Sequence, residues 1–206
     1  EYGLIGIITI FIAVFNSITD SGFSSALIRK NDASEADFNT VFLSNLGISF
    51  LLFLTLFISA PAIASFFGQP QLVPLTRVMS VIVIINAFAI IQRTILVKKV
   101  DFKTQTKVSL IASIISAATG LGMALKGCGV WSLVGQQVSR QLVYTTLLWA
   151  WGRWIPDFRF SSKSFRELFG FGWKLLVSGL IDTLWREMYQ VIIGKCYSTA
   201  TLGQYT

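Results

Sequence analysis

The chain has 206 residues, 53% of them hydrophobic and only 13% charged, with a mean hydropathy of +0.66. A soluble domain carries about 25% charged residues, so this composition excludes an ordinary soluble globular protein and points to the membrane class. The net charge is +7 and histidine is absent. Basic loops on one side of a membrane explain that charge better than nucleic acid does, and histidine-based acid, base or metal chemistry is excluded.

The first span is read over Tyr2 to Thr19, uncharged and just long enough to cross about 30 Å of hydrocarbon. Asn16 and Asp20 lie one turn apart at its end, with Asp20 expected as a helix cap near the interface. A small-residue turn then runs to Arg29 and Lys30. Phe38 to Thr76 carries no charge and is too long for one span. Pro61 and the Gly68-Gln69-Pro70 turn are expected to break it, giving a span over Val41 to Ala60 and a short apolar excursion at the far interface. Val78 to Leu96 follows, framed by Arg77 and Arg93. Its amides Asn86 and Gln92 are expected to join helices.

After a basic loop, Val108 to Leu125 carries Ala112, Ser116, Gly120 and Ala124 at i+4 spacing. Small residues on one face let two helix backbones approach closely, so this stripe is structural. A tight turn at Lys126 to Gly129 leads to the span Val130–Trp151. Here Ser132, Gln136, Arg140 and Tyr144 follow at i+4, with Gln137 and Gln141 alongside. Arg140 has about ten residues on either side and cannot snorkel to an interface. Two readings are open: a hydrated interior, or an ion pair with Asp182 or Glu187 that would set this helix beside the last one. A basic, aromatic loop over Gly152 to Arg166 follows, in which Ser164 to Glu167 fits a capping box.

The last helix, Phe169 to Gly194, bears Lys174, Ser178, Asp182, Arg186 and Gln190 at i+4. Each such step turns about 40° around the helix, so three consecutive members share a face. Charges at membrane depth are costly unless they meet a partner or water. The helix either lines a polar interior or lies in the headgroup plane, anchored by Trp173 and Trp185. The tail beyond it holds a further turn.

Lys and Arg alternate between connections, rich in the first, third and fifth and poor in the second and fourth. By the positive-inside rule, loops 20–40, 97–107 and 152–166 are cytoplasmic. Asp-Phe recurs at Asp37, Asp101 and Asp157, read as capping chemistry with an interfacial aromatic rather than as an internal repeat. Cys128 and Cys196 are read as packing residues. There is no phosphate loop, no GxSxG, no HExxH and no metal-ligand cluster. No cofactor, metal, catalytic residue or nucleic-acid partner is therefore expected, and the chain reads as a transporter rather than an enzyme. Its fold class is an all-α polytopic membrane bundle of about six transmembrane helices.

Several ordered fragments carry a resemblance: Glu1-Tyr-Gly-Leu, Asp20-Ser-Gly-Phe with Ala26-Leu-Ile-Arg-Lys, Asp37-Phe-Asn-Thr-Val-Phe, Ala60-Pro-Ala-Ile-Ala-Ser-Phe-Phe, Val100-Asp-Phe-Lys, Gly127-Cys-Gly-Val-Trp-Ser-Leu-Val and Leu202-Gly-Gln-Tyr. Together they resemble bacterial oligosaccharide flippases, the polysaccharide-export members of the multidrug, oligosaccharidyl-lipid and polysaccharide exporter superfamily. The resemblance implies a two-lobed bundle of a dozen or more helices, of which this chain, beginning at Glu1 rather than Met, is a piece. Residues 1–164 would hold helices two to six of the first lobe, and 165–206 the first, truncated helix of the second. It implies translocation of an isoprenoid-diphosphate-linked oligosaccharide across the bacterial inner membrane by alternating access, for cell-surface polysaccharide or lipopolysaccharide. Membrane lipids and other polysaccharide-assembly membrane proteins are the implied partners.

For such a cargo, Arg140, Arg186 and Lys174 are the candidates for the diphosphate, because fixed cations in a hydrated cleft suit it. Gln136, Gln137, Tyr144 and Gln190 are the candidates for sugar hydroxyls. Asp182 and Glu187 either accept a coupling proton or cation or simply neutralise the arginines. Two rivals remain. A drug or metabolite antiporter of the same superfamily would need an acidic interior. A membrane glycan polymerase or acyltransferase would need a catalytic constellation, commonly in a large outer loop.

Overall fold

A computed structural model describes residues 2–20, 22–30, 32–152 and 154–196, with side chains for all of these except 2, 190 and 193–196. The elements are α1 (Tyr2–Asp20), α2 (Phe23–Arg29), α3 (Glu35–Phe67), α4 (Leu72–Lys98), α5 (Phe102–Leu125), α6 (Val130–Trp151) and α7 (Ser162–Cys196). Among the described residues there is no strand. Four stretches, Gly3–Arg29, Glu35–Phe67, Leu72–Lys98 and Phe102–Leu125, are long and apolar enough to cross a membrane. α6, with 22 residues, and α7, with 35, are long enough to do so at about 1.5 Å per residue, but both carry polar faces. The protein is an all-α, multi-pass membrane protein.

Two helical hairpins, α3 with α4 and α5 with α6, are joined by α4 packing on α6. α1 lies against α4, α6 and α3, and α7 packs on α1, α2 and α3. The main core is formed by one face of α1 with α3 and α4: Ile7, Ile8, Leu56, Leu72 and Met79 are fully enclosed. A second core, rich in aromatic rings, gathers Phe23 of α2, Phe42 of α3 and Leu168 of α7. Phe42 is ringed by Phe88, Trp149, Trp154 and Phe158, with centroids 5.9–6.5 Å away. Trp154 thus packs the start of the α6–α7 connection onto Phe42, while Phe158 and Phe160 stay exposed.

The basic connections meet at one end of the bundle. Lys30 donates to Glu167 at 3.1 Å and pairs with Asp37 at 3.0 Å. Lys98 donates to the carbonyls of Leu27 and Lys30. The Trp154 indole donates to Glu35 at 2.8 Å, and the Ser161 amide to Thr40 Oγ1 at 3.0 Å. The alternation of charge along the sequence thus has a geometric counterpart: the first, third and fifth connections lie together.

Three local expectations are corrected. α3 does not break at Pro61 but runs 33 residues to Phe67. Proline removes one amide donor, yet Ile63 and Ala64 beyond it pack with Leu72 and Leu75 of α4, and that packing sustains the helix. The break comes at Gly68, whose φ of 65° closes the helix in the left-handed conformation that glycine adopts at no steric cost. The turn after Asp20 is a short helix, α2, because Phe23, Ala26 and Leu27 share one buried face. The capping box at Ser164 does not form: Ser161 caps α7 by accepting from the Ser164 amide at 3.2 Å, and Glu167 turns to Lys30.

The three Asp-Phe pairs differ in geometry. Asp37 closes a capping box with Ser34, Asp101 is itself an N-cap that accepts from the Thr104 amide at 3.1 Å, and Asp157 caps nothing but pairs with Arg159 at 3.0 Å.

Candidate functional site

The polar strip of α6 lines a cavity. It encloses about 740 Å³ and is walled by Gln136, Gln137, Arg140, Gln141 and Tyr144 of α6, Ser109, Ser113 and Ser116 of α5, Thr9, Ile12 and Asn16 of α1, and Ile82 of α4. Its shape follows from sequence. Ala112, Ser116 and Gly120 of α5 are buried, and a Cβ on Gly120 would lie 3.0 Å from the Gln136 Cβ. The α5–α6 pair therefore touches closely near its turn. The small-residue stripe stops there, because Ala124 is exposed. Ser116 serves both as a contact residue and as part of the cavity wall.

Arg140 is the one arginine, lysine or carboxylate in that lining, and among the described residues it has no ion-pair partner. Everything else polar is hydroxyl or amide. An amide chain runs from the wall into the bundle: Gln141 Nε2 donates to Asn86 Oδ1 at 3.2 Å, and Asn86 Nδ2 donates to Asn16 Oδ1 at 3.0 Å. This ties α6, α4 and α1 together and fixes the wall on rigid elements. Thr145 and Trp149, further along α6, donate to α4 carbonyls.

A second cavity of about 440 Å³ lies between α1, α4 and α7, and Asn16 lines both. It contains Asp20 and Arg93, paired at 3.1 Å. Asp20 is therefore not a helix cap: its carboxylate goes to α4.

The residues expected on α7 fall elsewhere. Lys174, Ser178, Asp182 and Arg186 are exposed on the described structure, and none lines either cavity. Arg186 pairs with Asp182 at 2.9 Å, one turn away on the same helix, so Asp182 is not the partner of Arg140. Glu187 is partly buried and forms no described ion pair. The Gln190 side chain, Arg153 and the turn expected in the tail lie outside the described residues. α7 meets α1, α2 and α3 rather than α6, so α6 and α7 do not lie side by side. The cause is α1, whose apolar face claims α4 and α6 while its other side takes α7. At that crossing Gly22, with φ +69°, sits so close to α7 that a Cβ would lie 2.3 Å from the Gly172 carbonyl oxygen.

Sequence reasoning missed Asn16, Asn86, Asp20, Arg93 and the serines of α5 as members of the site. Ser109 and Ser113 do recur at i+4 spacing, one strip over from the small-residue stripe that holds Ser116, and that is the signal that could have found them.

A family model described as "Polysaccharide biosynthesis protein" matches residues 1–206. Three relatives are similar. Teichuronic acid biosynthesis protein TuaB of Bacillus subtilis is 30% identical over 190 residues, 91% of this chain and 39% of that protein. Succinoglycan biosynthesis transport protein ExoT of Rhizobium meliloti is 26% identical over 206 residues, all of this chain and 42% of that protein. Lipopolysaccharide biosynthesis protein WzxC of Escherichia coli is 22% identical, again over all of this chain and 42% of that protein. The chain thus spans 39–42% of the length of these curated relatives. No solved structure matches it.

Proposed function

The chain belongs to the polysaccharide biosynthesis protein family, and we propose that it forms much of one half of a flippase that carries a lipid-linked oligosaccharide across the bacterial inner membrane by alternating access. The supporting observation is the large cavity: one cation with no ion-pair partner among the described residues, set among amides and hydroxyls. The names of the relatives point to three different polymers. Such cargoes differ in sugars but would share an anionic isoprenoid-diphosphate, which a fixed arginine suits because it stays charged and offers paired donors. In this reading Arg140 meets the diphosphate, while Gln136, Gln137 and Tyr144 bond sugar hydroxyls. Loops 20–40, 97–107 and 152–166 face the cytoplasm. Residues 1–164 belong to one lobe, and 165–206 open the second.

The exposed strip of α7 fits the same scheme. Charges at membrane depth need a polar surface, and we place Lys174, Asp182, Arg186 and Glu187 against the part of the transporter that this chain does not span. There they contribute to binding or coupling only once both halves are present. An antiporter for cationic drugs would favour an acidic lining, and the large cavity has no described acid. A membrane polymerase would favour a large outer loop, whereas the turns at 68–71 and 126–129 are short.

The test is Arg140→Ala in the full-length protein, with surface polysaccharide as the readout and membrane insertion as the control. The account expects export to be lost with insertion intact. Normal export by this variant would remove Arg140 from the mechanism.

A further inference from the structure

We infer that Arg93 is a second anion-binding group of the same path, and that Asp20 is a resident carboxylate the anionic cargo displaces from it. This rests on the transport reading above. The starting point is the smaller cavity, which adjoins the larger one at Asn16. Arg93 Nη2 donates to Asp20 Oδ2 at 3.1 Å. The contact is incomplete on the acid's side: Oδ1 is enclosed and has no hydrogen-bond partner among the described residues. A carboxylate with one oxygen unsatisfied is a poorer partner than one bonded through both. The pair is also within reach of a ligand, since 42% of the Arg93 side chain and 39% of the Asp20 side chain are exposed.

Arginine has five N–H donors in a fixed fork, and one described contact engages Asp20. The fork is therefore only partly used. Arg93 lines the smaller cavity and Arg140 the larger, and the Asn16–Asn86–Gln141 amide chain joins the two. A group carrying two negative charges has one to offer each arginine along the path. Asp20, carrying one, engages Arg93 alone. Exchange of the carboxylate for a diphosphate keeps Arg93 paired throughout and releases the Asp20 tie between α1 and α4, leaving the Asn16–Asn86 bond and the apolar core to hold them. That is a direct link between cargo arrival and the packing of α1, the helix on which α7 also rests.

The probe is inorganic pyrophosphate, titrated calorimetrically into the purified full-length protein at low ionic strength. Asp20→Asn should tighten binding about tenfold, equivalent to about 1.4 kcal/mol, because the competitor is removed. Arg93→Gln should weaken it about tenfold, and Asp20→Asn should add nothing in that background. If Asp20→Asn leaves binding unchanged or weaker while Arg140→Gln still weakens it, the Asp20–Arg93 pair is only a structural tie and the transport reading stands. Absence of pyrophosphate binding by the unmodified protein would remove both. If Asp20→Asn does not yield folded protein by size exclusion, Arg93→Gln decides: weaker binding supports the assignment, and unchanged binding overturns it.

Discussion

α6 and α7 look alike as sequence and differ as structure. Each carries a strip of polar residues at i+4 spacing with an arginine in it. On α6 the strip becomes the wall of a cavity shared with α1, α4 and α5, with Gln136, Gln137, Gln141 and Tyr144 half-buried and Arg140 exposed within it. On α7 it is left on the outside, where Arg186 and Asp182 are 73% and 58% exposed and satisfy each other. The periodicity reports that a helix has a polar face. It does not report what that face meets, because the answer depends on which neighbour claims the apolar face. α6 turns its apolar side to α4 and α5, and α7 turns Leu168 and Phe171 to α2 and α3.

The largest effect expected from this contrast is on export. Arg140→Gln in the full-length protein should reduce it about 10- to 100-fold, the worth of one charge-assisted hydrogen bond of about 1.5–3 kcal/mol. Arg140→Lys should fall between, since it keeps the charge and loses the paired donors. An export assay that found Arg140→Gln and Arg140→Lys equal would mean that the charge alone contributes nothing and that the paired donors carry the effect.

A smaller effect, on stability, should come from the wall itself. Gly120→Leu forces Gln136 away and should cost about 1–3 kcal/mol through overpacking. Asn86→Leu leaves the Asn16 and Gln141 amides without their shared partner and should cost about 1–2 kcal/mol. Both are read as loss of thermal stability of the detergent-solubilised protein. If neither variant moves the melting temperature, the cavity wall is not held as described.

Much of this was legible before the structure. Membrane class, the alternation of loops and the α6 strip follow from composition, charge and spacing, because each is a local property of a helix in lipid. The continuity of α3 through Pro61 was not, since Ile63 and Ala64 are held by residues of another helix. The Asp20–Arg93 pair was not either, because it joins residues 73 positions apart whose sequence contexts read as helix ends. Ser109 and Ser113 of α5 also stand at helical spacing, but the small-residue stripe through Ser116 already explained the helix.

The smallest effects belong to exposed charges. Asp182→Asn, made in this chain alone, should change stability by about 0.5 kcal/mol or less, as for exposed i+4 pairs. In the full-length transporter the same variant should do more if α7 meets a second polar surface. The difference between the two settings, measured by thermal melts, tests that placement.

At the basic end, the hydrogen bond to the Asp37 carboxylate, helped by Glu167, raises the Lys30 ammonium above its ordinary value. A raised lysine contributes its full stability below the ordinary lysine value and loses it as pH rises through the higher one. Melting temperature should therefore fall in the alkaline range by less in Lys30→Met than in the unmodified protein. Asp101 works in the opposite direction: the Thr104 amide holds its carboxyl below the usual range, so its helix cap persists above that range and is lost as pH falls through the lowered value.

The most direct measurement is water access along the two strips. Single cysteines at positions 137, 140, 141 and 144, and at 114 and 121 on the exposed apolar side of α5, would be placed in a cysteine-free full-length background and treated with a water-soluble maleimide in intact membranes. The account predicts labelling of the α6 positions and none at 114 or 121. Labelling of the α6 positions no faster than at 114 and 121 would mean a dry interior, and would contradict the claim that Arg140 stands in a hydrated transport cavity.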